Sequence, residues 1–195
     1  MDHDLLQDIG FWQFLLTVDE DLAQSCHQAG CTCGGRLHRA NYPRKPRGAA
    51  AKHLPEEYTW RFSFCCDRDG CRKRVTPQSV RFLGRKVYLG AVVILVAAMR
   101  QGPSPRRVRE LSQLFNVDRR TIARWQVFWR EVFPRTTFWK VARAQLVPVV
   151  EVVALPRALV AAFLGHVESR EGWKRLLQFL APITVTGGLS SEVFR

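Results

Sequence analysis

Six cysteines, Cys26, Cys31, Cys33, Cys65, Cys66 and Cys71, fall within one short stretch, and none occurs in the rest of the chain. Thiolates bunched in this way, with glycines beside them, have the composition of a metal site rather than of a secreted disulfide scaffold, which spreads its cysteines through the fold. Two candidate knuckles stand out. One is Cys31-Thr-Cys33-Gly-Gly and the other is Cys66-Asp-Arg-Asp-Gly-Cys71. Zinc takes four tetrahedral sulfur or nitrogen donors, and a glycine next to a ligand lets the backbone turn tightly around it. The expected ligand set is Cys31, Cys33, Cys66 and Cys71, binding Zn2+ in a structural role, with Cys26, His27, His38 and Cys65 as alternates. Cys65 and Cys66 are adjacent, so their side chains diverge and only one is expected on a single metal. A catalytic zinc would need an open position and a general base; Asp67 and Asp69 have no such setting.

A second group of residues could bind nucleic acid. Along 108–125, Val108, Leu111 and Phe115 make one apolar stripe and Ile122 and Trp125 begin another, continued by Trp129 and Phe133. Asn116 between them suits a left-handed turn, Val117 fills the angle, and Asp118 is placed to cap the second helix. This is the pattern of a helix-turn-helix, with Ser112 small enough for close helix approach. In the second helix Arg119, Arg120, Thr121 and Arg124 are the expected DNA contacts, Arg120 and Arg124 foremost, and Arg106 sits on the outer face of the first. Arg72, Lys73 and Arg74 leave the second knuckle as three consecutive cations suited to phosphates, with Arg81, Arg85 and Lys86 extending the basic surface. Arg44, Lys45 and Arg47 lie in a proline-interrupted run that reads as an extended arm or a basic surface loop.

Net charge supports the same direction. The chain carries +13, unevenly: residues 1–25 hold six acids and no Lys or Arg, whereas residues 34–86 hold fourteen Lys/Arg against four acids. Such a field favours a polyanion, and double-stranded DNA is the expected partner. The longest charge-free apolar stretch, 87–99, is too short to span a bilayer, so no membrane role is expected. The N-terminus lacks the basic-then-apolar order of a signal peptide, and a cytoplasmic, nucleoid-associated location is expected.

These residues must be positioned by a mainly α fold with a small β zinc-ribbon: a trihelical helix-turn-helix core plus C-terminal helices. Four regions are expected. Residues 1–25 form an acidic helix, read as a solubilising helix on the outside, with packing against the basic remainder as the alternative. Residues 26–86 form the cysteine-rich module, with a strand over 58–64 leading to Cys65-Cys66. Residues 87–133 form the helix-turn-helix domain, with helices at 87–100, 105–115 and 119–133. Residues 134–195 form a helical region, with pieces near 137–147, 156–165 and 169–180, then a loose tail. Apolar runs at 146–153 and 159–164 either complete the core or form a homodimer surface.

At 31–35, 64–74 and 111–125 the sequence resembles the DNA-binding region of bacterial insertion-sequence transposases, where a zinc ribbon or zinc knuckles precede a helix-turn-helix. The resemblance covers at most residues 26–133 and is to a module type. It implies recognition of element ends, with catalysis supplied by a separate domain or protein partner. After Arg119 the acids are Glu131, Glu151, Glu168, Glu171 and Glu192, with no Asp, on segments that read as helical. A two-metal strand-transfer site needs several converging carboxylates, so the expectation is a non-catalytic protein: a regulator or a mobile-element accessory factor. The competing readings are an RNA-binding component and a metal-dependent nuclease or recombinase.

Overall fold

The computed structural model describes residues 8–44, 54, 56–82, 90, 92, 105–147, 149–165 and 169–185, with backbone alone at Pro105, Arg107, Leu111 and Leu114. Helix α1, Ile9–Ala29, is the longest described element. Asp8 caps it by accepting the Gly10 N–H at 2.8 Å, and Gly30, at φ +71°, ends it. Phe11, Trp12, Leu15, Val18, Asp19 and Ala23 recur at three- and four-residue spacing and are all buried. The helix is therefore a wall of the core. That corrects the expectation of an outer solubilising helix, because the acidic residues 20 and 21 face outward while Asp19 points in.

Five short strands follow: β1 (Leu37–Arg39), β2 (Tyr42–Pro43), β3 (Trp60–Arg61), β4 (Phe64–Cys66) and β5 (Arg74–Val75). An antiparallel sheet of order β1-β4-β5 pairs Leu37 with Cys66 and Cys65 with Arg74, and a separate antiparallel pair sets Tyr42 opposite Arg61. The single strand expected over 58–64 is broken. Glu56–Thr59 forms a 3-10 turn that swings the Tyr58 ring fully into the core, and the chain leaves β3 to enter a different sheet at Phe64.

The later described elements are helices: α2 (Pro105–Phe115), α3 (Arg119–Val127), α4 (Thr137–Ala142), α5 (Arg157–Leu164) and α6 (Arg170–Leu180). After Val127 the helix continues as a wider π turn, Phe128–Val132, and a 3-10 turn, Phe133–Arg135, rather than as α-helix to 133. Thr136 and Ser169 cap the next helices by accepting the Trp139 and Gly172 N–H groups. Trp125, Phe128, Trp129, Phe133, Trp139 and Trp173 are all buried, and the Trp129 and Phe133 rings lie 4.7 Å apart. The helix expected at 87–100 lies outside the described residues except for Gly90 and Val92, which are helical and buried. The tail 186–195 lies outside them as well.

One ion pair joins these parts. The Arg81 Nε donates to Asp19 Oδ2 at 2.8 Å, with both side chains fully buried. Asp19 also accepts from the Ser79 hydroxyl at 2.5 Å and the Val80 N–H at 2.6 Å. Arg81 donates its two remaining nitrogens to the carbonyls of Tyr58 and Trp60, each at 2.8 Å, and its guanidinium lies about 5 Å from the Tyr58, Phe62 and Phe82 ring centres. Arg81 is thus a structural cation, contrary to its expected place on a basic surface. Removing one member of a buried pair strands the other charge. The Asp19→Asn variant is expected to lose about 3–5 kcal/mol of stability in urea unfolding; a loss below about 1 kcal/mol would contradict this role.

Candidate metal centre

The Sγ atoms of Cys31, Cys33, Cys66 and Cys71 all lie within 4.8 Å of one another. Cys33 and Cys66 are 3.5 Å apart and Cys31 and Cys71 are 3.8 Å apart. Four sulfurs at the usual zinc–thiolate distance of about 2.3 Å define tetrahedral edges of about 3.8 Å. The cluster therefore has the size and donor set of a four-coordinate metal site.

Local backbone explains how the four converge. Cys31 follows the Gly30 turn at the end of α1; Gly34, at φ +82°, folds the chain back so that its N–H reaches the Cys31 carbonyl at 2.8 Å. A Cβ on Gly35 would sit 2.5 Å from the Cys66 sulfur and 2.9 Å from Cβ of Arg68, so only glycine fits there. Cys66 ends β4, and the Gly70 turn at φ +81° returns Cys71 to it. Three of the sulfurs are influenced by the backbone N–H two residues on, which favours the thiolate: Gly35 for Cys33, Arg68 for Cys66 and Lys73 for Cys71.

The thiols of the cluster perturb one another. The Cys33 thiol is lowered to about 6, first by the Gly35 N–H and then by Cys71 and Cys66. Cys66 is pushed up to about 12: the Arg68 N–H favours its thiolate, but desolvation and bonds to Cys33, Cys31 and Cys71 outweigh it. Cys71 is raised as well, its Lys73 N–H bond being outweighed by Cys33, burial and Cys31. Thiolates this close repel one another, and a bound cation would offset that repulsion.

The alternates sit elsewhere. His27 donates from Nε2 to the Leu37 carbonyl at 2.8 Å, and His38 Nε2 lies 3.3 Å from Asp67 Oδ2. Cys65 points to the other face of β4 and donates to the Arg72 carbonyl at 3.5 Å, while burial pushes the Cys26 thiol up. Two supports were not anticipated from the sequence. Asp67 Oδ1 accepts the Arg36 N–H at 2.9 Å, and Arg68 donates to the Cys33 carbonyl, together bracing one knuckle against the other. The acid and base between Cys66 and Cys71 were the available signal.

The cationic residues divide by surroundings. Asn116 adopts φ +48° between α2 and α3, Ser112 Oγ donates to the Val117 carbonyl at 2.6 Å, and Asp118 accepts the Arg120 N–H at 2.7 Å. Val117, Ile122 and Trp125 are buried, which leaves Arg119 and Arg120 exposed on the first turn of α3. Thr121, expected to reach outward, is buried, and its hydroxyl accepts from half-buried Arg124 at 2.9 Å. Arg106 is exposed and pairs with Glu110 at 3.1 Å. On the cysteine module Lys73 is exposed, Arg72 pairs with Asp69 at 2.6 Å, and Arg74 donates to the Ala40 carbonyl at 3.0 Å. The Arg44 guanidinium lies 4.8 Å from the Tyr42 ring centre. Lys45 and Arg47 lie outside the described residues.

No protein-family profile matches the chain, and no significant match is found among curated proteins or solved structures. No helix among the described residues is long and apolar enough to cross a membrane.

The ligand geometry makes a direct prediction. Native mass spectrometry is expected to show one metal ion per chain, lost in Cys33→Ser and Cys66→Ser and retained in Cys26→Ser and Cys65→Ser. Gly35→Ala is expected to lower metal affinity at least tenfold in a chelator competition, because the added methyl cannot avoid the Cys66 sulfur.

Proposed function

We propose that the chain is a non-catalytic, zinc-stabilised protein that reads double-stranded DNA through α3 as the recognition helix of a helix-turn-helix. The observation that carries this reading is the construction of α3. Its inner face is locked by Ile122 and Trp125, its entry is fixed by the Asn116 turn and the Asp118 cap, and its first turn presents Arg119 and Arg120 to solvent. An N-terminal helix turn bearing two arginines suits the major groove, where a guanidinium can bond guanine O6 and N7 together. Arg124 stands one turn further on and is oriented by Thr121, whose part is to hold Arg124 rather than to touch DNA.

Zn2+ is the ion that best suits four thiolates in this geometry. Held by Cys31, Cys33, Cys66 and Cys71, it would fasten the small sheet as a zinc ribbon and contribute no reaction step. Lys73, Arg72 and Arg74 beside it, with Arg106 on α2 and Arg44, Lys45 and Arg47 on the arm, would supply phosphate contacts. The transposase resemblance fits an accessory factor of a mobile element or a regulator, acting in the cytoplasm on the nucleoid, with any strand cleavage left to a protein partner. RNA is the second reading. Tyr42 with Arg44 and Arg74 against its ring, near partly exposed Trp60, offers a surface on which an unstacked base could lie.

Arg120→Ala is expected to cost about 1–3 kcal/mol on the preferred duplex and little on random DNA. Lys73→Ala is expected to weaken all duplexes alike and to reduce the salt slope by about one. Equal losses on every duplex for Arg120→Ala would remove it as a base reader. Tighter binding to single-stranded RNA than to any duplex would select the RNA reading.

A further inference from the structure

Val147, Val149 and Val153 are 93%, 87% and 91% exposed, and Val141 on α4 is 65% exposed. Their neighbours Val150 and Leu155 are buried, so the strip is anchored from beneath and the exposed valines have no core position to withdraw into. The backbone at Leu146 and Glu151 is extended, Val152–Ala154 forms a 3-10 turn, and residues 147, 149, 151 and 153 are exposed while 150 is buried. The Val147, Val149 and Val150 N–H groups make no hydrogen bond with the described residues. Between them the four valines expose an area on the order of 500 Å².

We infer that this strip is a homodimer interface, in which two copies lay their 141–153 faces together, antiparallel about a two-fold axis. The area fits a second copy: two faces buried together come to roughly 1,000 Å², the lower bound of a specific interface. The charge order fits it as well. Exposed Lys140 and Arg143 stand at one end of the strip and exposed Glu151 near the other, and no ion pair joins any of them to a described residue. Antiparallel apposition brings the Glu151 end of each copy over the Lys140–Arg143 end of its mate, giving two symmetric ion pairs around a valine centre. A hetero-partner would need only one complementary face; the order of charges here complements itself.

The test is sedimentation velocity of the full metal-replete chain without DNA, across a concentration series from roughly 1 to 100 µM, which spans the affinities of small interfaces. A dimer is expected. Val149→Asp should raise its dissociation constant about tenfold or more, by placing a charge in the apolar centre. Glu151→Arg and Arg143→Glu should each weaken it, and the two changes together should restore it. Circular dichroism and metal content report on folding in each variant; these positions are exposed and should leave both unchanged. A monomer at all concentrations, or a dimer indifferent to Val149→Asp, overturns the inference. Because no DNA is present, this result stands apart from the DNA-binding reading.

Discussion

Four sulfurs lie within 4.8 Å of one another, close enough to hold a single cation, and the turns and strands of the cysteine module bring them there. Its strands are two or three residues long, too short to stand as a sheet by hydrogen bonding alone. Its own apolar cluster is equally small: Ala23, Leu37, Phe64 and the two buried thiols. A metal held by Cys31 and Cys33 on one side and Cys66 and Cys71 on the other would close the chain between them and fasten β1 against β4. The glycines serve the same end, Gly34 and Gly70 by turning the backbone and Gly35 by leaving room for the Cys66 sulfur.

The module is tied to the helical body by α1, which belongs to both. Ala23 lies in the cysteine-module cluster, while Phe11 to Val18 lie in the main core, where Phe11 meets Trp173 of α6. Asp8 reinforces this at the helix start by accepting from Arg170 at 2.6 Å, a bond that holds its carboxyl below the ordinary value. Asp19 does so deeper in, through Arg81 and the carbonyls that Arg81 gathers. A displaced α1 would therefore disturb the sulfur cluster and the aromatic core together.

The parts legible in the sequence were those governed by neighbours close along the chain. Cysteine spacing with adjacent glycines pointed to the four residues that converge, and Asn116 with Asp118 located the turn and cap between α2 and α3. Helices α5 and α6 fell close to their expected places because Pro156 precedes the one and Ser169 caps the other. Long-range partners carried no local signal. Asp19 lies 62 residues from Arg81, so each read as an ordinary surface charge. The alternation over 58–64 resembled one strand, but the Tyr58 ring finds the core only by a 3-10 turn. Thr121 looked like a contact residue, yet its hydroxyl is taken by Arg124 inside the protein.

What remains exposed after this packing is a short helix end with two arginines, a cationic loop beside the sulfurs, and a row of valines on the opposite half of the sequence. These are the surfaces that the proposed DNA contact and self-association would use. The most direct measurement is selection of duplexes from a random library by the metal-replete chain at physiological salt, repeated after chelation. An enriched sequence motif that disappears when the metal is removed is expected. Recovery of duplexes without any enriched motif would contradict the proposed DNA reading.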